Sequence, residues 1–237
     1  MKKDLFGKAL LDYHNGNYTE DIITATNISG EDTLPLEYLF RSYAEMPKIE
    51  QKALALAKGH VLDIGAGSGS HSLYLQDQGL EVKAIDISEG AIAVCKLRGV
   101  ASTENISALE YAKVSEETFD TILLLMNGTG IFQTIKALPL YLKDLKRLLK
   151  PKGQILIDSS DIKYMFEDED GGFWQDLNAG YYGELDYFLS YKGEDESPMK
   201  WLYLDFPTLN IASATVGLTC EKVFEGDSFD YLARLTL

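Results

Sequence analysis

The sequence predicts a doubly wound α/β fold, with a mainly parallel sheet covered by helices and an antiparallel hairpin and edge strand at the C-terminal end. Three observations carry this expectation. Apolar runs of strand length alternate with helical patterns from residue 47 to residue 160, as parallel strands joined by crossover helices require. Ile122-Leu123-Leu124-Leu125-Met126 is continuously apolar, as burial on both sheet faces demands. Beyond residue 184, two strand-like runs flank a polar turn, the pattern of a hairpin.

The elements follow in order. Residues 1–46 read as helical pieces with polar breaks. Leu5, Leu10 and Leu11 share a face, and Tyr13-His14-Asn15-Gly16-Asn17-Tyr18 is a turn flanked by aromatic residues. Leu34–Arg41 is apolar and aromatic with one arginine, and it reads either as a packing segment or as a lid over a pocket. Pro47 suits a first helical turn, Ala53–Ala57 is rich in helix formers, and Gly59 ends that helix.

His60–Ile64 is the first strand and Ser70–Gln78 a helix stopped by Gly79. Glu81–Asp86 is the second strand, and Ser88 caps a helix that stops at Gly99. Residues 100–108 make a third strand diluted by polar residues, and Phe119–Met126 the fourth. Leu138, Leu142, Leu145 and Leu149 have helical spacing, lysines crowd that helix's C-terminus, and Pro151 and Gly153 close it. Gln154–Asp158 is the fifth strand. An acidic stretch, Asp161–Gly172, leads to the hairpin Glu184–Tyr191 and Lys200–Phe206. A helix over Thr208–Leu218 and a final edge strand, Tyr231–Leu237, complete the chain. The expected organisation is a single domain over 1–237, with an N-terminal helical lid (1–46), an α/β core (47–160) and a C-terminal hairpin, helix and edge strand (161–237).

Composition narrows the function. Of 237 residues 46% are hydrophobic, enough for a real core. No apolar run approaches the roughly 18 residues that span a bilayer, and the N-terminus lacks the apolar centre of a signal peptide. Two cysteines, Cys95 and Cys220, suggest no disulfide framework, so a cytoplasmic location is expected. A formal net charge of -15 argues against a surface that grips nucleic acid or an anionic membrane.

The organising stretch is Val61-Leu62-Asp63-Ile64-Gly65-Ala66-Gly67-Ser68-Gly69-Ser70-His71. A strand runs into a turn with three glycines and then into a helix N-terminus. Backbone without Cβ lets a ligand lie close, and the helix start offers unpaired N–H groups. Asp86 ends the next strand on the same edge, where its carboxylate can accept two hydrogen bonds from a ribose diol. Ser88 is better placed as the helix cap, which leaves Asp86 for the ligand. A dinucleotide turn would put its third glycine at Ser70 rather than Gly69, and the Gly-Lys-Ser/Thr ending of a P-loop is absent. Asp63 suits a cationic ligand better than a pyrophosphate.

At this point the chain resembles the class I S-adenosylmethionine-dependent methyltransferases, whose sheet is Rossmann-like. Asp63–Gly69 resembles their first motif and Ala84-Ile85-Asp86-Ile87-Ser88 their second. Phe119–Leu125 resembles their fourth strand and Leu148–Ile157 their fifth. The resemblance implies S-adenosylmethionine as cofactor, methyl transfer as activity and no metal. It places Asp63, Gly65, Ala66, Gly67 and Gly69 on the methionine part, Asp86 on the ribose and Ile87 on the adenine. Asn105-Ile106, or Ser107 on a shifted alignment, falls where the family binds the adenine amino group. Met126 and Asn127 would line the methionine side.

Tyr13 and Arg41 are the expected substrate contacts from the lid, Arg41 because a lone arginine in an apolar segment needs solvent or an anionic partner. No catalytic residue is assigned. His14, His71, Asp158 and Asp161 are the candidate bases, each with an alternative reading as a helix, cap or loop residue. Asn127-Gly128-Thr129-Gly130 lacks the prolines and aromatic residue of base-modifying enzymes, so a small molecule or a polypeptide side chain is the expected acceptor, the small molecule being favoured. Tyr181, Tyr182, Trp201 and Tyr203 are candidate pocket walls or hairpin packing. The rivals are an NAD-dependent oxidoreductase, which the glycine spacing and Asp63 oppose, and a non-catalytic cofactor-binding module, since this family needs no fixed catalytic residue.

Overall fold

The computed structural model describes residues 3–166 and 180–237. The acidic stretch Asp161–Gly172 lies outside them from residue 167 onward. The N-terminal part forms α1 (Leu5–His14), β1 (Ile22–Thr26), β2 (Asp32–Leu34) and the single turn α2 (Leu36–Leu39). Then come α3 (Lys48–Leu56), β3 (His60–Ile64), α4 (Ser70–Asp77), β4 (Glu81–Asp86), α5 (Glu89–Arg98), β5 (Ser102–Asn105), α6 (Ala108–Val114), β6 (Phe119–Leu124), α7 (Leu138–Arg147) and β7 (Leu149–Ser160). The C-terminal part forms β8 (Glu184–Tyr191), β9 (Glu194–Asp195), β10 (Met199–Leu202), α8 (Phe206–Thr215), β11 (Thr219–Glu225) and β12 (Asp230–Thr236).

The main sheet has the order β11-β12-β7-β6-β3-β4-β5. Strands β3 to β7 are parallel, and β12 and β11 add antiparallel to them. Side chains alternate across it with period two. Leu62, Ile64, Ile122, Leu124, Ile155 and Ile157 pack toward α6, α7 and α8. Val61, Leu123, Leu125 and Leu156 pack on the other face with Ile49, Ala53 and Leu54 of α3 and Leu75 of α4. Chain order reverses between β3 and β6. A crevice at the carboxyl ends of those strands is where ligands bind in open α/β sheets.

Three expectations need correction. Residues 1–46 are not purely helical, because β-branched Ile22-Ile23-Thr24-Ala25-Thr26 forms a strand. The predicted hairpin pairs as expected, but it belongs to a second sheet of order β10-β8-β1-β2. The final strand is not an edge. Leu232, Ala233 and Leu235 are buried and β12 is paired on both sides, while β11, with Glu221, Lys222 and Glu225, forms the edge. Charged residues suit that outer position. Helix α6 and strand β11 went unread in the sequence.

The two parts of the molecule meet through glycines. Gly7 of α1 and Gly90 of α5 approach so closely that a Cβ on Gly90 would lie 2.6 Å from the Gly7 Cα. Asp4 caps both helices. Its Oδ1 accepts from Gly7 N–H at 3.0 Å, and its Oδ2 accepts from Gly90 N–H and the Ser88 hydroxyl, each at 2.9 Å. This contact seats the N-terminal segment beside the end of β4.

Candidate active site

The turn after β3 carries left-handed backbone at Gly65, Gly67 and Gly69. At Gly67, with φ of 56°, a Cβ would point into open space, so the backbone there is bare on its outer side. The Gly67 N–H donates to Asp86 Oδ2 at 2.9 Å, and the Ser88 N–H donates to Asp86 Oδ1 at 2.8 Å. Ser88 also caps α5 through Ala91 N–H. Asp86 thus braces both the turn and the helix start rather than standing free of structural duty. A carboxylate has about four acceptor positions, so two remain. Burial pushes its pKa up to about 6.

Asp63 is buried and accepts a 2.6 Å hydrogen bond from the Ser72 hydroxyl of α4. Burial raises its pKa, and His71 and Ser72 oppose that rise. Ile87, next to Asp86, is 67% exposed, an unusual state for an isoleucine at a strand end in this crevice. Asn105 donates through its side chain to the Asp86 carbonyl at 2.9 Å, and Ile106 N–H donates to the same oxygen at 3.0 Å. Ser107 caps α6. These residues lie side by side at the ends of β4 and β5.

Met126 and Asn127 follow β6 in left-handed conformations, with φ of 67° and 58°. Such backbone is rare for residues with side chains and persists when its surroundings hold it. Here Asp158 holds it, accepting from Met126 N–H at 3.2 Å and Gly128 N–H at 2.8 Å. Asn127 is tied by its side chain to Ser159 and Leu202. Asp158, a candidate base, therefore has a structural task, and burial pushes its pKa up to about 6. Asp161 accepts from the Tyr182 hydroxyl at 2.7 Å. His14 is exposed at the end of α1.

The segment around α2 lies on the glycine turn. The Leu39 carbonyl accepts from the Ser70 hydroxyl at 2.9 Å and from the Ser68 hydroxyl. Arg98 donates to the Ser68 carbonyl at 2.8 Å and sits 4.9 Å from the Phe40 ring. Tyr13 packs on Phe40 with ring centroids 4.6 Å apart. Arg41 finds its anion inside the chain. Its guanidinium pairs with both carboxylate oxygens of Glu50, lies 3.8 Å from the Tyr38 ring centroid, and leaves Nε without a hydrogen-bond partner among the described residues. His71 Nε2 lies 2.6 Å from the other side of that carboxylate, at Glu50 Oε2. Burial raises the Glu50 pKa, but His71 and Arg41 outweigh it and hold it below the usual range. Of the sequence-expected contacts, Arg41 is thus held by Glu50, and Tyr13 is one ring removed from the turn.

Sequence reasoning missed Glu50, Asp4 and the Leu39 carbonyl. Glu50 looked like any acid in the first turn of a helix, and a backbone carbonyl leaves no mark in a sequence. It also missed the pairing of Trp201 with Gly130, where a Cβ would lie 2.1 Å from the indole. A glycine six residues after a strand and an aromatic in the hairpin were both visible, but only the fold joins them.

Comparison with known proteins agrees with this geometry. A family model described as a methyltransferase domain matches residues 62–157. An uncharacterised methyltransferase of Staphylococcus carnosus is 28% identical over 84% of this chain and 86% of its own length. YqeM of Bacillus subtilis, which carries a methyltransferase name, is 30% identical over 43% of this chain and 42% of its own length. A crystal structure of an S-adenosylmethionine-dependent methyltransferase from Bacteroides fragilis, in complex with S-adenosylhomocysteine, superposes with a TM-score of 0.92. It is 44% identical over 99% of this chain and 95% of that one. Likeness of that extent, running through both sheets, makes this chain a member of the class I S-adenosylmethionine-dependent methyltransferases.

Proposed function

We propose that this protein transfers the methyl group of S-adenosylmethionine to a small acceptor, with the cofactor seated between the glycine turn, Asp86 and Met126. The observation that carries the reading is Asp86. Two of its acceptor positions hold the turn and α5, and the two left over suit the vicinal hydroxyls of a ribose. The residues around it fit the rest of the cofactor. Exposed Ile87 offers an apolar face for adenine, and Asn105 and Ile106 stand beside it. Bare backbone at Gly67 allows close approach. Buried Asp63 offers negative charge for the cationic methionine end. The unpartnered Nε of Arg41 is a buried donor that calls for an acceptor.

The bound cofactor supplies an activated methyl group, and the protein's task is alignment and exclusion of water. The lid reading of residues 1–46 is supported by α2 resting on Ser68 and Ser70. The single-domain organisation is supported by the Gly7–Gly90 contact and by Asp4 bridging the two parts. Among the described residues no helix is long and apolar enough to cross a membrane. A net charge of -15 supports an acceptor other than nucleic acid, and two free thiols suit a reducing cytoplasm.

Calorimetry with S-adenosylmethionine, S-adenosylhomocysteine, NAD and ATP tests the reading. Micromolar binding of the first two and none of the others is expected. Binding of NAD instead would overturn it.

A further inference from the structure

We infer, building on the methyl-transfer reading above, that the acceptor is an amine received by an aromatic wall of Tyr187 and Trp201. Placement comes from the second sheet. Along β8, Leu185, Tyr187, Leu189 and Tyr191 share one face, and Trp201 pairs with Leu185 across β10. At one end of this face Leu189 and Tyr191 are buried against α1 and α2. At the other end the face turns aromatic and half-buried. Tyr187 packs in the same cluster as Met126, and its ring lies 5.4 Å from that of Trp201. The indole covers Gly130, and the next residue, Ile131, reaches Gly65 of the glycine turn. Trp201, Gly130, Ile131 and Gly65 thus form one continuous stack from the wall to the turn.

Charge decides between acceptor classes. The basic side chains beside the turn are already engaged, save for the Nε of Arg41. Arg41 and His71 both face Glu50, and Arg98 is held by Ser68 and Phe40. Asp63, Asp86 and Asp158 are buried around the crevice. An acceptor presenting a carboxylate, phosphate or sulfate meets like charge here. An ammonium or amine meets ring faces and negative potential, and rings of this kind attract cations within about 6 Å.

The chemistry also favours nitrogen. A phenol or alcohol must lose a proton to a base as it reacts. His71 is held by Glu50, and Asp158 by two backbone N–H groups. The ammonium that the rings attract first releases its proton to bulk water, and the neutral amine then carries its own lone pair. That pair forms the new N–C bond while the carbon–sulfur bond breaks and its electrons stay on sulfur. A secondary amine leaves as a protonated tertiary amine, which releases its proton to water.

The test uses the full chain saturated with S-adenosylhomocysteine. Choline is the cationic probe, 3,3-dimethyl-1-butanol its neutral isostere and acetate the anion, each titrated by NMR line broadening. Choline is expected to bind at least tenfold more tightly than the isostere, with no saturable binding of acetate. Trp201→Leu, and separately Tyr187→Leu, should remove that preference while S-adenosylhomocysteine affinity stays within twofold, which also confirms folding. With labelled cofactor, a mixed pool of small amines, phenols and acids should take label into the amine fraction. Equal binding of choline and isostere, or label in phenols or acids alone, overturns the amine assignment and leaves the cofactor reading intact. Failure of S-adenosylhomocysteine to bind overturns both.

Discussion

The Leu39 carbonyl accepts a 2.9 Å hydrogen bond from the Ser70 hydroxyl, and a second from Ser68. A segment 30 residues upstream in sequence is thereby fastened to the turn at the centre of the site. The polypeptide itself holds the segment there, through two serines. Replacing both, Ser68→Ala with Ser70→Ala, removes these two hydrogen bonds, worth about 0.5–1.5 kcal/mol each, together with those the hydroxyls accept from Arg98. Hydrogen exchange at residues 36–41 should accelerate, and S-adenosylhomocysteine should restore part of the protection. Unchanged exchange in the double variant would mean that apolar packing of Leu36 and Leu39 alone holds the segment.

Gly67 gives a second expected outcome. Valine there meets open space in the free protein but must adopt φ near 56°, a genuine strain for a β-branched residue. Gly67→Val should lower stability by about 1–3 kcal/mol and abolish cofactor binding, because its methyls would occupy the bare side of the turn. Gly67→Ala should show the same order of effects at smaller size. Calorimetric affinity equal to that of the native chain would remove Gly67 from the site.

Glu50 joins two elements that the sequence kept apart. Glu50→Ala strands the Arg41 guanidinium in a buried site, and such a loss typically costs about 3–5 kcal/mol. Glu50→Gln keeps two polar partners and should cost less. Denaturant unfolding of both variants checks the ranking. Equal stability of all three proteins would show that Arg41 relaxes to solvent when released.

These cases mark what the sequence could reveal. The strand-to-turn-to-helix signal at Val61–His71 and the second-strand Asp86 were legible because they depend on local spacing, and β3, α4, β4 and α5 follow it closely. Arg41 was expected to need solvent or an anionic partner and was read as a substrate contact, whereas the anion beside it, Glu50, lies nine residues on in α3, and no local pattern joins them. Strand β1 was hidden because its stability comes from pairing with β8, more than 150 residues away, and β2 pairs in turn on β1. Gly7 and Gly90 look like ordinary helix glycines until the helices touch.

That helix contact yields a fourth prediction. Gly90→Ala would place a Cβ 2.6 Å from the Gly7 Cα, far inside any tolerated distance. Helix α1 must shift, and Asp4 then loses its hydrogen bonds to Gly90 and Ser88. We expect a loss of about 1–3 kcal/mol from overpacking and a further loss of about 1 kcal/mol from the cap. Limited proteolysis should cut residues 1–46 first in this variant. A native melting curve and digestion pattern would show that the helices can separate without consequence.

Asp86 offers the sharpest test, because its bracing role and its proposed ribose role respond oppositely to pH. In the free protein burial raises its pKa from 3.8 to about 6. Between those values the folded chain holds a proton that the unfolded chain has released. Stability contributed by this group is therefore full below pH 4, falls as pH rises through 6, and is flat above. Binding runs the other way. Only the ionised carboxylate can accept from both ribose hydroxyls while still holding Gly67 and Ser88, so affinity should rise through pH 6 and level off. Asp86→Asn cannot ionise. It should flatten both curves after subtraction of the contribution of Asp158, whose pKa is also pushed up to about 6. Asn keeps one acceptor, so Asp86→Ala should be worse in affinity, by about 2–4 kcal/mol or roughly thirty-fold to a thousand-fold. Alanine also strands the Gly67 and Ser88 N–H groups, partly offset by removal of a buried charge. A cofactor analogue lacking the 2′-hydroxyl should show a smaller penalty for either substitution. If Asp86→Asn lowers the melting temperature while affinity and its pH profile stay native, Asp86 serves only the turn and the helix cap, and the ribose must be held elsewhere.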